Sequence, residues 1–190
     1  MKLAELLNKV YNGEIVLPDF QRSFIWEPDD IKDLLASVLG DYFIGAMLII
    51  NSTKDRSPFS LRLVEGVTEV NSSAEVQPLV KVLLDGQQRT TALFYAIYEP
   101  GLPLKGRKSA YKFYLDFDNA IKGNWDEAVI AVNATNRRKI TELEGKHYVI
   151  PFSLLNENGL LGVAALCEKF VKDHQNFSKI IGIANNFIHR

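Results

Sequence analysis

Six polar or small residues in a row, Asp85-Gly86-Gln87-Gln88-Arg89-Thr90, separate two segments of different hydrophobic period. The apolar run 79–84 before them predicts a short buried strand. After them Ala92, Leu93, Ala96 and Ile97 recur at helical spacing and predict a helix from residue 87 to about 98. The cluster therefore falls where a strand hands over to a helix N-terminus. Free backbone N–H groups at such an end carry partial positive charge and suit an anion such as phosphate. Gly86 permits a sharp turn or a close ligand approach, and Arg89, one turn in, offers a forked donor for phosphate oxygens. The same residues also suit a structural junction, with Asp85 as a cap and Arg89 in a surface ion pair, and spacing alone does not separate the two.

A second concentration of chemistry lies earlier, in Pro18-Asp19-Phe20-Gln21-Arg22-Ser23-Phe24-Ile25-Trp26. Aromatic residues at 20, 24 and 26 flank Gln21-Arg22. A loop of this composition can stack an aromatic ring on a base while Arg22 meets a phosphate. The structural alternative is that the three aromatics plug the edge of the core and Arg22 pairs with an acid such as Asp19.

Positioning these segments falls to the elements around them. Leu3, Leu6, Leu7 and Val10 predict an amphipathic helix over residues 1–11, followed by a short apolar run at 15–17. Pro28 with Asp29 and Asp30 marks a helix start, and Ile31, Leu34, Leu35, Val38 and Leu39 give that helix one apolar face up to Gly40. Residues 46–50 predict a buried strand, 51–58 a polar loop, and the alternation of Phe59, Leu61 and Leu63 another strand. The polar stretch 67–78 predicts a mobile excursion. Farther on, Tyr111, Phe113, Leu115 and Phe117 alternate with polar neighbours as in a half-buried strand. Residues 148–151 predict a short strand and 152–155 a helical turn. Residues 125–130 fit neither pattern cleanly. Asn136-Arg137-Arg138-Lys139 is a basic patch that suits either a solvated face or a nucleic-acid backbone. From residue 161 onward Leu166, Phe170, Val171, Ile180, Ile183, Ala184, Phe187 and Ile188 follow a helical pattern that runs to the last residue without a stop signal, the expected start of a further region.

Composition narrows the class. With 190 residues, 47% hydrophobic and 24% charged, the chain has the apolar content of one folded domain. A net charge of −1 argues against a uniformly basic nucleic-acid coat. The single cysteine, Cys167, excludes an internal disulfide and a multi-cysteine zinc site, and its apolar surroundings predict a core position. The three histidines, 147, 174 and 189, lie in no metal-ligand spacing, so no HNH-type nuclease centre is expected in this chain. Gly101 and Gly106 imitate the start of a P-loop, but Arg107 stands where lysine belongs and Pro103 interrupts the segment. No run reaches the ~20 apolar residues that span a bilayer, and no signal peptide is evident, so a cytoplasmic location is expected.

The two polar motifs together resemble the N-terminal domain family of GmrSD-type restriction endonucleases. Phe20, Gln21, Arg22, Phe24 and Trp26 match that family's first block, Leu34, Leu35, Ser37 and Val38 its helix, and Ile44-Gly45 its turn. Asp85, Gly86, Gln87, Gln88, Arg89, Thr91 and Leu93 match its second block. The likeness is strong over residues 3–98 and compatible to about 155. Leu17 for the commoner isoleucine, and the absence of a proline after Tyr42, are departures that leave the polar site untouched.

The resemblance implies an α+β fold similar to ParB and sulfiredoxin. A small mixed sheet would carry both motifs, helices would surround it, and a helical portion would end the chain. The expected division is a nucleotide-binding domain over 1–155 and a helical extension over 156–190. It further implies a domain that binds, and hydrolyses, a nucleoside triphosphate with Mg²⁺ in a modification-dependent restriction or phage-defence protein. DNA would be engaged by the full-length protein, and an HNH-type nuclease would lie elsewhere. Sulfiredoxin-like chemistry is not expected, because Gln87-Gln88 stands where its cysteine would be. Gln21, Arg22, Trp26, Gly86, Gln87 and Thr90 are then the expected binding residues. Asp85, Gln88 and Arg89 are the expected groups for turnover, with Asp85 also holding the metal; Phe24 and Trp26 are candidates for stacking on the base. A module that senses or binds DNA through the same pocket, without nucleotide turnover, is the competing reading.

Overall fold

The computed structural model describes residues 1–156, 168–172 and 175–190. Its first helix, α1 (Leu3–Tyr11), turns Leu3, Leu6, Leu7 and Val10 inward, the face that the spacing predicts. Strand β1 (Ile15–Pro18) follows and is buried along its whole length. Helix α2 (Pro28–Leu39) starts with proline in its first turn, and the Glu27 N–H donates to the Asp30 carboxylate at 2.8 Å. This pairing satisfies an amide the helix cannot reach by itself.

Strands β2 (Leu48–Thr53), β3 (Leu61–Arg62) and β4 (Leu79–Asp85) join β1 in a four-stranded mixed sheet of order β2-β4-β1-β3. β1 and β4 are parallel neighbours at its centre, and β2 and β3 are antiparallel edges. Both polar motifs begin at the ends of the two central strands, which is what brings them together. Between β3 and β4 lies the one-turn helix α3 (Val67–Val70).

Helix α4 (Gln87–Tyr98) leaves β4 through Gly86 and runs through the middle of the molecule. Residues Ala92, Leu93, Phe94, Tyr95, Ala96 and Ile97 are all buried, so it is apolar around its whole circumference. A helix of that kind is enclosed on every side. Here α1, α2 and the 3₁₀ turn Phe152–Leu155 enclose it.

A second, antiparallel sheet follows, formed by β5 (Tyr111–Asp116), β6 (Val129–Asn133) and β7 (Val149–Pro151) in the order β6-β5-β7. Helices α5 (Phe117–Ala120), α6 (Trp125–Ala128) and α7 (Arg137–Glu144) connect its strands. The final helix, α8 (Phe177–His189), packs against α1 and α2 and adds Ile180, Ala184, Phe187 and Ile188 to the main core. No helix among the described residues is long and apolar enough to cross a membrane.

The α+β class is as the sequence implies, with one sheet more than the sequence leads one to expect. Several boundaries differ for physical reasons. The strand expected at 46–50 begins at Leu48 and continues to Thr53, through residues expected in a loop. Its polar end still pairs with β4, Asn51 opposite Lys81 and Thr53 opposite Leu79. Only two residues of the expected 59–63 strand enter the ladder. The 67–78 stretch is tied down rather than loose: Val67 is buried, Asn71 donates to the Tyr11 carbonyl at 3.0 Å, and the Gln77 N–H donates to the Gly13 carbonyl at 3.2 Å. Residues 125–130 split into α6 and the start of β6. In β5 the second face is also covered, since Tyr114 is buried with Val132, Leu143 and Val149 beneath α7. The basic patch at 136–139 opens α7, where the Asn136 side chain accepts from the Lys139 N–H at 3.1 Å. Phe170 is buried, stacked on Tyr148 at 5.9 Å. The expected helix over 161–167, with Leu166 and Cys167, lies outside the described residues.

Candidate functional site

The first motif forms a loop that leaves β1 and crosses over the β4–α4 turn. The amide nitrogen of Gln21 donates to the carbonyls of Leu83 and Leu84, at 2.9 and 3.0 Å, which anchors the loop to the end of β4. Helix α4 answers from its first turn. The side chain of Gln87, itself buried, donates to the Arg22 carbonyl at 2.7 Å. Gln88 donates to the Ser23 carbonyl at 3.1 Å and accepts from the Ile25 N–H at 3.0 Å. Two successive glutamines thus read the backbone of residues 22–25 as a strand partner would, with no strand present. A carboxylate that the sequence reading missed completes the clamp: Glu65 accepts the Phe24 N–H on both oxygens, at 3.0 and 3.1 Å. Arg62 adds a bond to the Gln21 carbonyl at 3.2 Å. Neither Glu65 nor Arg62 stands at a spacing that relates it to the motifs, so no sequence signal pointed to them.

Arg89 faces the other way. Its guanidinium donates to the carbonyls of Ile44 and Ala46, at 2.6 and 2.7 Å, and stands 3.6 Å from the Asp85 carboxylate. The fork fastens the loop before β2 to the start of α4, a geometry that a lysine ammonium does not reproduce. Gly45 makes room for it: its φ is +93°, and a side chain there would run into the Arg89 guanidinium. Gly86 has φ +95°, and an added Cβ would lie 2.9 Å from Met47 Cγ. Thr90, fully buried with its hydroxyl 3.9 Å from Met47 Sδ, packs behind the turn and does not line the opening.

Between the two motifs is a pocket of about 440 Å³, walled by Phe20, Gln21, Arg22 and Trp26 on one side and by residues 84–89 on the other. Arg22 is exposed there and makes no ion pair or side-chain hydrogen bond with the described residues. The first turn of α4 opens into the same space, and Gly86 as N-cap has no side chain to satisfy its amides. Among the described residues Asp85 is the only carboxylate on the wall; it is 72% exposed, and its contact with Arg89 is long. One open carboxylate beside a helix N-terminus is of the kind that could hold Mg²⁺, which is commonly bound by one or two carboxylates together with substrate phosphates. Among the described residues no cluster of three or more His, Cys, Asp or Glu could hold a metal without such help.

The aromatic residues divide. Phe24 and Trp26 pack against the main core with ring centroids 6.5 Å apart, and of these two only Trp26 also reaches the pocket. Phe20 lines the pocket and is 66% exposed. The residues expected from sequence at the site are thus brought together, except Thr90 and Phe24. The side-chain donors of Gln21, Gln87 and Arg89, and both functional ends of Gln88, are engaged on backbone. Spacing alone gave no sign of that, because their partners lie 43 to 65 residues away.

A strand–glycine–helix turn bridled by a loop with the pattern FQRxFxW defines the class, and the comparisons agree with it. The sequence matches the family described as GmrSD restriction endonuclease, N-terminal domain, over residues 3–182. The chain belongs to that family. It is also similar to the uncharacterized protein MJ0686 of Methanocaldococcus jannaschii, with 34% identity over 184 residues, which cover 94% of this chain and 30% of that protein. The chain thus spans under a third of the length of this relative.

Proposed function

We propose that this domain binds a nucleoside triphosphate in the pocket between its two motifs and acts as the nucleotide-responsive part of a restriction or phage-defence protein. The observation that carries the reading is the meeting of an uncapped twelve-residue helix N-terminus with an unpaired arginine, Arg22, across one pocket. Amides with partial positive charge and a mobile guanidinium are what a polyphosphate needs for positioning and charge neutralisation. Asp85 takes the Mg²⁺ or the water-orienting role, since its oxygens are the open ones. Gln21, Gln87, Gln88 and Arg89 act by shaping the pocket. Mg²⁺, when bound, would offset the negative charge of the phosphates. Turnover, engagement of DNA and control of a nuclease elsewhere in a longer protein complete the reading that family membership supports.

A thermal-shift titration of the chain with nucleoside triphosphates and Mg²⁺ tests it. Ligand at about 100 times its dissociation constant should stabilise by ~2.7 kcal/mol. Arg22→Ala, on an exposed side chain, should leave the unliganded melting temperature unchanged and remove most of the shift. Asp85→Ala should reduce turnover more than binding. No shift with any triphosphate, together with salt-sensitive binding of duplex DNA, would favour the competing reading of a DNA-sensing module.

A further inference from the structure

Phe20 is a large apolar side chain in the place where burial would least predict one. Of the large hydrophobic residues exposed among the described residues, it is the one that lines the motif pocket. Its position is built rather than incidental. Beyond the last paired residues of β1 and β3, the Asp19 N–H still donates to the Ser60 carbonyl at 2.9 Å. The next pair outward is Phe20 and Phe59, with ring centroids 5.1 Å apart and planes at 73°. Edge-to-face contact with one neighbour leaves at least one face of each ring uncovered by the other. Immediately after Phe20 the backbone is fixed again: the Gln21 N–H donates to the Pro18 carbonyl, and Gln21 is bonded to the end of β4 by its side chain and to Arg62 by its carbonyl. The ring thus stands on a firm mount two positions before Arg22, whose side chain has no partner among the described residues.

We propose that Phe20, braced by Phe59, is the stacking platform for the nucleobase of the nucleotide bound at this site, which therefore recognises the base chiefly by its face. The proposal rests on the nucleotide-binding reading above. Its second half follows from the hydrogen-bond inventory. Of the amide side chains on the wall, Gln21 donates to two backbone carbonyls and Gln87 and Gln88 to one each, so their orientation is set by the fold and not by a base edge. Arg22 and Asp85 belong to the phosphate end. An aromatic face accepts any base, because every base has a π-face.

The test compares nucleoside triphosphates with inorganic tripolyphosphate, which has the charge and no base, by calorimetric titration in Mg²⁺. Phe20→Ala should weaken nucleotide binding by roughly 5- to 150-fold, the range measured for base–aromatic stacking, and leave tripolyphosphate affinity unchanged. Phe20→Tyr should retain nucleotide affinity, and the four common triphosphates should differ by less than about tenfold. Phe59→Ala, which removes the brace and no pocket group, should give a weaker loss of the same kind. Equal affinity of wild type and Phe20→Ala for nucleotides, or parallel losses for nucleotide and tripolyphosphate, would overturn the platform while leaving the site reading intact. Strong preference for one base would overturn recognition chiefly by the face. A wild-type chain that binds neither compound would overturn both readings at once.

Discussion

Arg89 is a motif residue whose donors are engaged within the fold. Its guanidinium donates to two carbonyls on a loop that precedes β2 and is only 17% exposed. Hydrogen bonds made by a charged group contribute about 1.5–3 kcal/mol, and the loss of the donor leaves two carbonyls without it. Arg89→Ala should therefore lower stability by about 2–3 kcal/mol, and each kcal/mol should lower the melting temperature by about 2–4 °C in a chain of this size. Arg89→Lys should not restore it, since an ammonium does not span both carbonyls. A melting curve of Arg89→Ala superposable on wild type would show that the fork contributes nothing. The contrast with Arg22, whose replacement should leave the melting curve untouched, separates the two arginines of the site by role.

At the scale of elements, the second sheet shows how a packed face changes an ionisation. Tyr114 lies in the middle strand, buried beneath α7, with its hydroxyl donating to the Glu144 carboxylate at 3.2 Å. Burial, and after it the negative charge of Glu144, raise the phenol well above its usual value of 10.0. Tyr95, whose hydroxyl donates to the Leu102 carbonyl at 2.6 Å and accepts from the Tyr111 N–H at 3.0 Å, is raised as well, chiefly by burial. A phenol whose folded pKa exceeds its unfolded value favours the folded state fully below the unfolded value. That contribution is lost as pH rises from there toward the folded one. Stability should thus decline above about pH 10 more steeply than the exposed tyrosines alone would cause. Tyr114→Phe should flatten the decline in urea midpoints measured between about pH 9 and 11.5, at the cost of one hydrogen bond at neutral pH. An unchanged slope in that variant would mean that the buried phenol is not the group responsible.

For the molecule as a whole, the question is whether the C-terminal helix belongs to the same cooperative unit as the motif sheet. Phe187 of α8 is buried to 1% exposure and meets Phe152, in the turn after β7, at 5.3 Å. Ile180, Ala184 and Ile188 share one continuous core with α1, α2 and α4. Phe187→Ala should therefore cost about 3–5 kcal/mol, as a large buried aromatic does, and should lower a single unfolding transition. Two separated transitions, with the motif region unaffected, would show α8 to be an independent appendage.

The sequence by itself determined the local elements and the family. Helices α1, α2 and α4 were legible because their spacing, a proline at the start of α2 and the glycine before α4 are encoded within a few residues of each other. The meeting of Gln21 and Arg22 with residues 85–89 was legible only through the paired motifs. What the tertiary structure alone decided is where the donors of those motifs point. Gln87, Gln88 and Arg89 had every chemical qualification for phosphate. They bind backbone carbonyls because a loop with few ladder partners of its own must have its polar groups satisfied from elsewhere, and the nearest side chains in space belong to α4. Exposure was equally illegible: Phe20, Phe24 and Trp26 are equivalent aromatics in the sequence, yet Phe24 and Trp26 pack against the core, Trp26 also reaching the pocket, while Phe20 stands exposed in it. Phe20 stands beside Phe59 just beyond the pairing of β1 with β3, a contact between segments about forty residues apart that no local pattern records.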